Sequence, residues 1–296
     1  MTLRHLRIFA AVYQEMSITK ASKKLHLAQP SVSLAIKELE EAYHIQLFDR
    51  INRRLFITER GEAFYTYTSH ILDLFEEMEN SMIAPDIPLG ISLGSSITIG
   101  TYLVPRTIAA FREKYPACEV TVRIQNSQHI VQAVLKNELD LGLVEDKVKN
   151  DQLEAVPFMR DRLYFICGKD HPLAGKKMLT LETVCGYPLF LREPGSAGRE
   201  ITDGLLKAHQ VKAKVSWESV SNQALIRAVE VNQGISVMSE KLIEDEVKNG
   251  RIEILPLYPK AFERSFSLIY HKKKYMTGAL EELIKMVKLS STDSLD

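Results

Sequence analysis

The 296-residue sequence predicts an α+β multidomain chain. It reads as a winged helix-turn-helix head, a coiled-coil linker helix and a two-lobed α/β body. Three observations carry this. Two short helical patterns are joined by a tight turn ahead of two strand-like runs, all before residue 59. Phe64, Tyr67, Ile71, Leu74 and Met78 then recur at spacings of 3, 4, 3 and 4, the seam of a coiled coil. From Gly90 onward short apolar runs alternate with helical stretches, as βαβ units do.

The elements follow in order. Leu3, Leu6, Phe9, Ala10 and Tyr13 share one helical face over residues 3–16. Ser17 can cap a second helix, Ile18–Leu25. Gln29-Pro30-Ser31 opens a third, with proline in the first turn where its missing N–H costs little. That helix reaches about Tyr43 and turns Val32, Ala35, Ile36 and Leu39 inward. Residues 47–50 and 54–58 read as two strands around an Asn52-Arg53 turn, a wing. Thr58 and Glu59 begin the long helix, which runs to about Ile83. Pro85 and Pro88 end it and mark a hinge at Ala84–Pro88. Strands are expected at Ile91–Gly94, Glu119–Ile124, Leu139–Val144 and Leu163–Cys167, with helices at about Tyr102–Lys114 and Gln128–Lys136. A second set follows: Pro188–Leu191, helix Gly198–His209, Val215–Ser219, helix Gln223–Val231 and Ile235–Met238. Ser265–Tyr270 and helix Met276–Val287 close the chain. The domain boundaries are therefore 1–58, 59–88 and 89–296. The last divides into lobe I (about 89–160 plus 266–290) and lobe II (about 161–265), with a cleft between them.

Composition narrows the function. Hydrophobic residues make up 45% and charged residues 26%, ordinary for a folded globular chain. The formal net charge is zero, yet residues 1–60 hold ten Lys/Arg against six Asp/Glu. The head is thus +4 and the remainder −4, the asymmetry of a nucleic-acid-reading module on an acidic body. Arg4, His5 and Arg7 interrupt the N-terminal apolar residues, which excludes a signal peptide or anchor. No stretch approaches the roughly 18 apolar residues of a spanning helix, so the expectation is a cytoplasmic protein with no membrane partner. Cys118, Cys167 and Cys185 form no C-x-x-C pair and suggest free thiols in a reducing compartment. No P-loop, dinucleotide fingerprint, H-E-x-x-H or G-x-S-x-G is present. No catalytic residue, metal site or cofactor is therefore expected. Residues 90–290 alone would also suit a solute-binding transport protein, but the missing leader and the fused head argue against that.

The N-terminal motifs support a closer assignment. Ser17-Ile18-Thr19-Lys20-Ala21, Ala28-Gln29-Pro30-Ser31-Val32-Ser33, Leu39-Glu40, Leu47-Phe48-Asp49-Arg50 and Thr58-Glu59-Arg60-Gly61 resemble the LysR-type transcriptional regulators, at that family's spacing. Ser22 and Arg60 depart from its common pattern. The resemblance implies periplasmic-binding-protein-like lobes and a tetramer built as a dimer of dimers. Ser95 to Pro105 and Arg192 to Ser196 resemble the branch that regulates carbon-fixation and sulfur-assimilation operons. Where that branch often has Gly-Thr after the serine, this chain has Ala197-Gly198 and lacks one hydroxyl.

Chemistry suggests the site residues. Gln29, Ser31 and Ser33 are the short polar side chains that a recognition helix sends to the groove floor, and the resemblance places Pro30 beside a thymine methyl. Lys37 suits a phosphate, as do Thr19 and Lys20 at the start of the second helix. Arg53 and Arg54 would carry the wing toward the minor groove. In the body, Ser95, Ser96 and Thr98, then Asn126 and Ser127, then Ser196, then Asn222 stand at or near helix starts beyond strand ends, where anions bind. His129, Arg192 and Arg199 could add charge. The expected function is a DNA-binding regulator whose small-molecule inducer, an anionic metabolite or oxyanion, binds between the lobes. The alternative is a DNA-binding regulator with no inducer. Double-stranded DNA, RNA polymerase and further copies of the chain are the candidate partners.

Overall fold

A computed structural model describes every residue except 52–53, 84–89, 146–147, 258–261 and 291–296. The wing turn Asn52-Arg53 and the hinge Ala84–Pro88 thus lie outside the described residues. The chain divides into two compact units, Met1–Leu89 with Leu135–Glu138, and Gly90–Val134 with Leu139–Asp296.

In the first unit, α1 (Leu3–Glu15) buries Leu6, Phe9 and Val12. Met16 ends it in the left-handed region at φ 42°. Ser17 then caps α2 (Ile18–Lys24), its Oγ accepting the Lys20 N–H at 3.3 Å. The third helix, α3 (Gln29–Tyr43), has Pro30 in its first turn and buries Val32, Ala35, Ile36 and Leu39. Glu40 binds α3 to the wing: its Oε1 accepts the Leu47 and Phe48 N–H groups at 2.8 and 3.2 Å. Strands β1 (Phe48–Ile51) and β2 (Arg54–Ile57) pair antiparallel, with Phe48 opposite Ile57.

Thr58 starts α4 (Glu59–Ile83) by accepting the Gly61 N–H at 2.9 Å and donating to the Gln46 carbonyl at 2.7 Å. Gly61 is required there, because a Cβ would lie 2.3 Å from the Leu47 carbonyl oxygen. Phe64 and Tyr65 pack into the head core, and Tyr65 stacks on Tyr13 at 3.7 Å between ring centroids. Phe64 therefore serves the head rather than opening the seam. Tyr67, Ile71, Leu74 and Met78 remain 60%, 41%, 40% and 50% exposed.

In the second unit, β3 (Ile91–Ser95) is followed by α5 (Ile97–Tyr102) and α6 (Val104–Lys114), where the sequence pattern suggested one helix. Next come β4 (Val120–Ile124), α7 (Ser127–Leu135) and β5 (Leu141–Glu145). A 16-residue strand, β6 (Leu153–Gly168), leads to α8 (Leu181–Cys185), β7 (Leu189–Arg192) and α9 (Ala197–Ala208). The chain continues through β8 (Val215–Ser219), α10 (Asn222–Glu230), β9 (Ile235–Ser239) and α11 (Glu240–Lys248). It ends with β10 (Ile252–Ile254), β11 (Phe262–His271) and α12 (Gly278–Leu289).

The strands form one hydrogen-bonded sheet in the order β4-β3-β5-β11-β6-β9-β7-β8, with β10 on β6. Its outer thirds are parallel, as βαβ units require. Between them β6 and β11 run antiparallel to each other and to their neighbours. Among the described residues of this unit three cores result. One packs Ile91, Phe111, Leu141, Phe266 and Leu283 together, a second Phe165, Leu189, Leu191 and Ile235, and a third Ile166, Phe190, Leu225 and Ile243. The long strand β6 contributes to all three. Cys118, Cys167 and Cys185 are buried. Burial pushes the Cys167 thiol up to about 12 and that of Cys185 to about 11, so both are protonated packing residues at neutral pH.

A buried ionic cluster sits on the crossing strands. Arg264 on β11 faces Asp161 on β6 in register, and its Nε donates to Asp161 Oδ2 at 2.7 Å. Its Nη1 donates to Glu145 Oε2. Side-chain exposures are 2% for Arg264, 5% for Glu145 and 0% for Asp161. Desolvation raises the Asp161 carboxyl above its ordinary value, against the opposing pull of Arg264. Removing one partner of such a group strands the other charges. Arg264→Ala should therefore lower stability by about 3–5 kcal/mol at neutral pH, measured by urea unfolding. The deficit should shrink as pH falls through the carboxylate range, because protonation neutralises the stranded Asp161, whose carboxyl already lies above its ordinary value. A loss within about 1 kcal/mol, as for exposed pairs, would refute this role.

Candidate nucleic-acid interface and ligand cleft

The head presents one polar face. Gln29, Pro30, Ser31 and Lys37 are exposed on α3, and Ser33 is half-buried. Thr19 and Lys20 are exposed in the first turn of α2. Lys37 Nζ lies 3.5 Å from Glu41 Oε1, both side chains exposed, a weak pairing that a phosphate can displace. A hollow of about 510 Å³ lies between α3 and β1, lined by Ser33, Lys37, Gln46, Asp49 and Arg50 among others. Arg50 was not singled out from sequence, because the strand pattern gave no sign that it would face α3. Arg54 begins β2 opposite Ile51, while Arg53 lies outside the described residues.

In the second unit α5, α9 and α10 are capped by the hydroxyls of Ser96, Ser196 and Ser221. Ser96 Oγ accepts the Ile99 N–H at 3.5 Å and donates to Glu145 Oε1 at 3.0 Å. Ser95 is the last residue of β3, and its hydroxyl donates to the Ser96 carbonyl at 3.0 Å. Thr98 is buried inside α5. The Ser127 hydroxyl accepts the Glu145 N–H at 3.3 Å. Asn126 Oδ1 accepts the His129 N–H at 3.0 Å and lies 2.6 Å from His129 Nδ1, with His129 exposed.

Across the cleft, Ser196 caps α9 by accepting the Arg199 N–H at 3.2 Å. Arg192 is 8% exposed. It donates to both oxygens of Glu193 at 2.8 and 2.9 Å and to Asn222 Oδ1 at 2.9 Å. Arg199 donates to Asp203 at 2.8 Å, Glu218 at 3.1 Å and the Arg192 carbonyl at 2.9 Å. Both guanidinium charges are thus already answered by carboxylates of the chain. Asn222 Nδ2 is buried without a hydrogen-bond partner, so lobe II holds one donor that a ligand or water can satisfy.

The lobes meet at α7 and the Glu193–Ser196 turn. The Gln128 N–H approaches the Gly195 carbonyl at 3.5 Å. Gly195 has φ +84°, and a Cβ there would lie 2.6 Å from Gln128 Oε1 and 3.3 Å from Asn126 Nδ2. Only glycine fits both the turn and the neighbour. Gly198 brings the start of α9 near Arg264, whose Nη1 would be 3.8 Å from a Cβ at that position. Predicted Ser96 and Ser127 thus bond to Glu145, which with Arg264 and Asp161 forms a set of three residues that sequence reading missed. Glu145 is one residue past the expected strand end. Arg264 and Asp161 meet only through the β6–β11 register, which no local pattern reports.

Comparison with known proteins agrees with this architecture. Residues 3–62 match the bacterial regulatory helix-turn-helix protein, lysR family, and residues 90–290 match the LysR substrate binding domain. The transcriptional regulator YeiE of Escherichia coli (strain K12) is 34% identical over 283 residues, covering 96% of each chain. The RuBisCO operon transcriptional regulator of Allochromatium vinosum is 30% identical over 290 residues, covering 96% of this chain and 95% of its own, in keeping with the carbon-fixation branch. The CcmR regulatory domain of Synechocystis PCC6803, solved in complex with 2-PG, aligns with a TM-score of 0.65 at 26% identity, covering 70% of this chain and 99% of that domain. With a winged head and a two-lobed ligand domain each matched over its length, this chain belongs to the LysR family of DNA-binding transcriptional regulators.

Proposed function

We propose that this regulator reads DNA through the start of α3 and responds to a small anionic metabolite or oxyanion held between the lobes of its second unit. What supports the reading is that Ser96, Ser196 and Ser221 cap the starts of α5, α9 and α10, that the Gln128 N–H approaches the Gly195 carbonyl, and that the Asn222 amide is orphaned. The match to a domain solved with 2-PG supports the same ligand class. Thr19, Lys20 and Lys37 hold phosphates, Gln29, Ser31 and Ser33 face base edges, and Arg53 and Arg54 take the wing to the minor groove. An acid group entering lobe I competes with Glu145 for Ser96 and Arg264, with Asn126 of the same lobe beside it, while Ser196 and Asn222 offer donors on lobe II. The protein works in the cytoplasm, where RNA polymerase is a further partner.

Self-association completes the reading. The exposed row Tyr67, Ile71, Leu74 and Met78 has coiled-coil spacing and pairs two chains. The edge strands β4 and β8 also expose apolar side chains, with Val122 and Ile124 at 40% and 48%, and Val215 and Trp217 at 40% and 44%. Two separate self-interfaces of this kind close a tetramer.

A second reading has its own support: the cleft is closed on the chain's own carboxylate, and both arginines are neutralised, as in a regulator with no inducer. A thermal-shift panel of sulfate, sulfite, thiosulfate, phosphate, organic acids and sugar phosphates separates the two. A ligand at a hundred times its Kd adds about 2.7 kcal/mol and should raise Tm by a few degrees, an effect lost in Ser96→Ala and Ser196→Ala. A panel without any shift would favour the ligand-free reading. On DNA, Gln29→Ala and Ser33→Arg should each lower specific affinity by roughly 1–3 kcal/mol, and unchanged titrations would remove α3 as the reader. Ile71→Lys with Leu74→Lys should at least halve the sedimenting mass, whereas an unaltered mass would place the dimer contact elsewhere.

A further inference from the structure

The outward face of α3 is not uniformly polar. After Gln29, Pro30 and Ser31, the next outward position is Leu34, 55% exposed. It lies four residues from Pro30 and three from Ser31, so the three share a face. The helix core is complete without it, since Val32, Ala35, Ile36 and Leu39 are the buried set.

Charge limits how α3 can sit in a groove. Glu38 and Glu41 are exposed beyond Leu34. Glu38 is held by His5 Nε2 at 2.8 Å, and Glu41 lies 3.5 Å from Lys37. Beyond Leu34 the exposed face therefore carries two carboxylates against the one cation Lys37, so it suits the groove rim rather than the floor. Insertion by the helix start, as reading helices of this kind use, ends at Leu34. An isobutyl group at the groove floor has one base-edge partner of its own chemistry, the 5-methyl of thymine. The amino and carbonyl edges of the other bases would be desolvated against hydrocarbon without a partner.

We propose that Leu34 is a specificity-determining residue that selects a thymine methyl in each half-site of the DNA. The inference rests on α3 being the reading helix. Leu34 stands about 6 Å further along the axis than Pro30, which is one to two base pairs at about 3.4 Å per step. It thus reads a different position from the proline.

The test is selection from a random-sequence duplex library with the full-length wild type and with Leu34→Ala, followed by titration at one fixed salt concentration. Thymines in the selected sequence are then replaced singly by deoxyuridine, which removes only the methyl. The wild type should show one thymine per half-site whose methyl is worth about fourfold in affinity. Leu34→Ala should be indifferent to that replacement, lose the thymine preference there, and keep the wild-type salt dependence and urea midpoint. A variant that selects the same sequence with the same preference, or a wild type indifferent to deoxyuridine everywhere, would overturn the role of Leu34 alone. A wild type that enriches no sequence would overturn α3 as the reading helix as well.

Discussion

The second unit depends on one guanidinium. Arg264 stands where β11 runs beside β6, with Asp161 on one side and Glu145 on the other. Taking three charges out of water costs several kcal/mol per ion unless the remaining lone pairs are satisfied. Two hydroxyls complete the set: Ser96 donates to Glu145, and Ser239 donates to Asp161 at 2.8 Å. Each hydroxyl also caps a helix, Ser96 for α5 and Ser239 for α11. The charge cluster thus fixes the starts of two helices that belong to different hydrophobic cores. Directional bonds in a low-dielectric interior have few alternative arrangements. The crossing strands are held in register by chemistry as well as by packing.

The head is built on another principle. Its core is apolar, and three of its polar contacts set the starts of successive elements: Ser17 at α2, Glu40 under the wing and Thr58 at α4. None of these uses a side chain of the outward face of α3. The start of that face is exposed, and its content reflects what it meets. Small polar groups and one leucine come first, then Lys37 and two carboxylates. A surface meant only for solvent would carry its charges throughout.

Most of the head was legible because its signals are local. Helix caps, the proline in the first turn and the inward stripe of α3 all lie within a few residues of what they determine. The strands of the βαβ segments were legible for the same reason, as runs of apolar residues. The long strand β6 was found only in its last third, because Pro157 and the run Arg160-Asp161-Arg162 look like a surface loop. Arg160 and Arg162 face solvent, and the buried Asp161 is acceptable in the strand because Arg264 lies across from it, a hundred residues later in the chain. The same non-local pairing hid Glu145. Arg192 and Arg199 were visible as charges, but not as charges already neutralised by Glu193, Asp203 and Glu218. Leu34 escaped because a periodicity search asks which residues face inward.

These distinctions bear on how the proposed ligand could act. A ligand changes the arrangement of the lobes only if it binds the alternatives unequally. One that touches Ser196 and Asn222 alone meets lobe II, whose donors are the same in any arrangement of the lobes, and it shifts little. One that reaches Ser96 must exchange with Glu145. It thereby alters the Glu145–Arg264 contact, and through Arg264 the hold on Asp161 of β6. The difference in affinity arises from that exchange. Regulation in this chain would then reside less in the Ser96 hydroxyl that greets a ligand than in the Glu145 carboxylate that already occupies it.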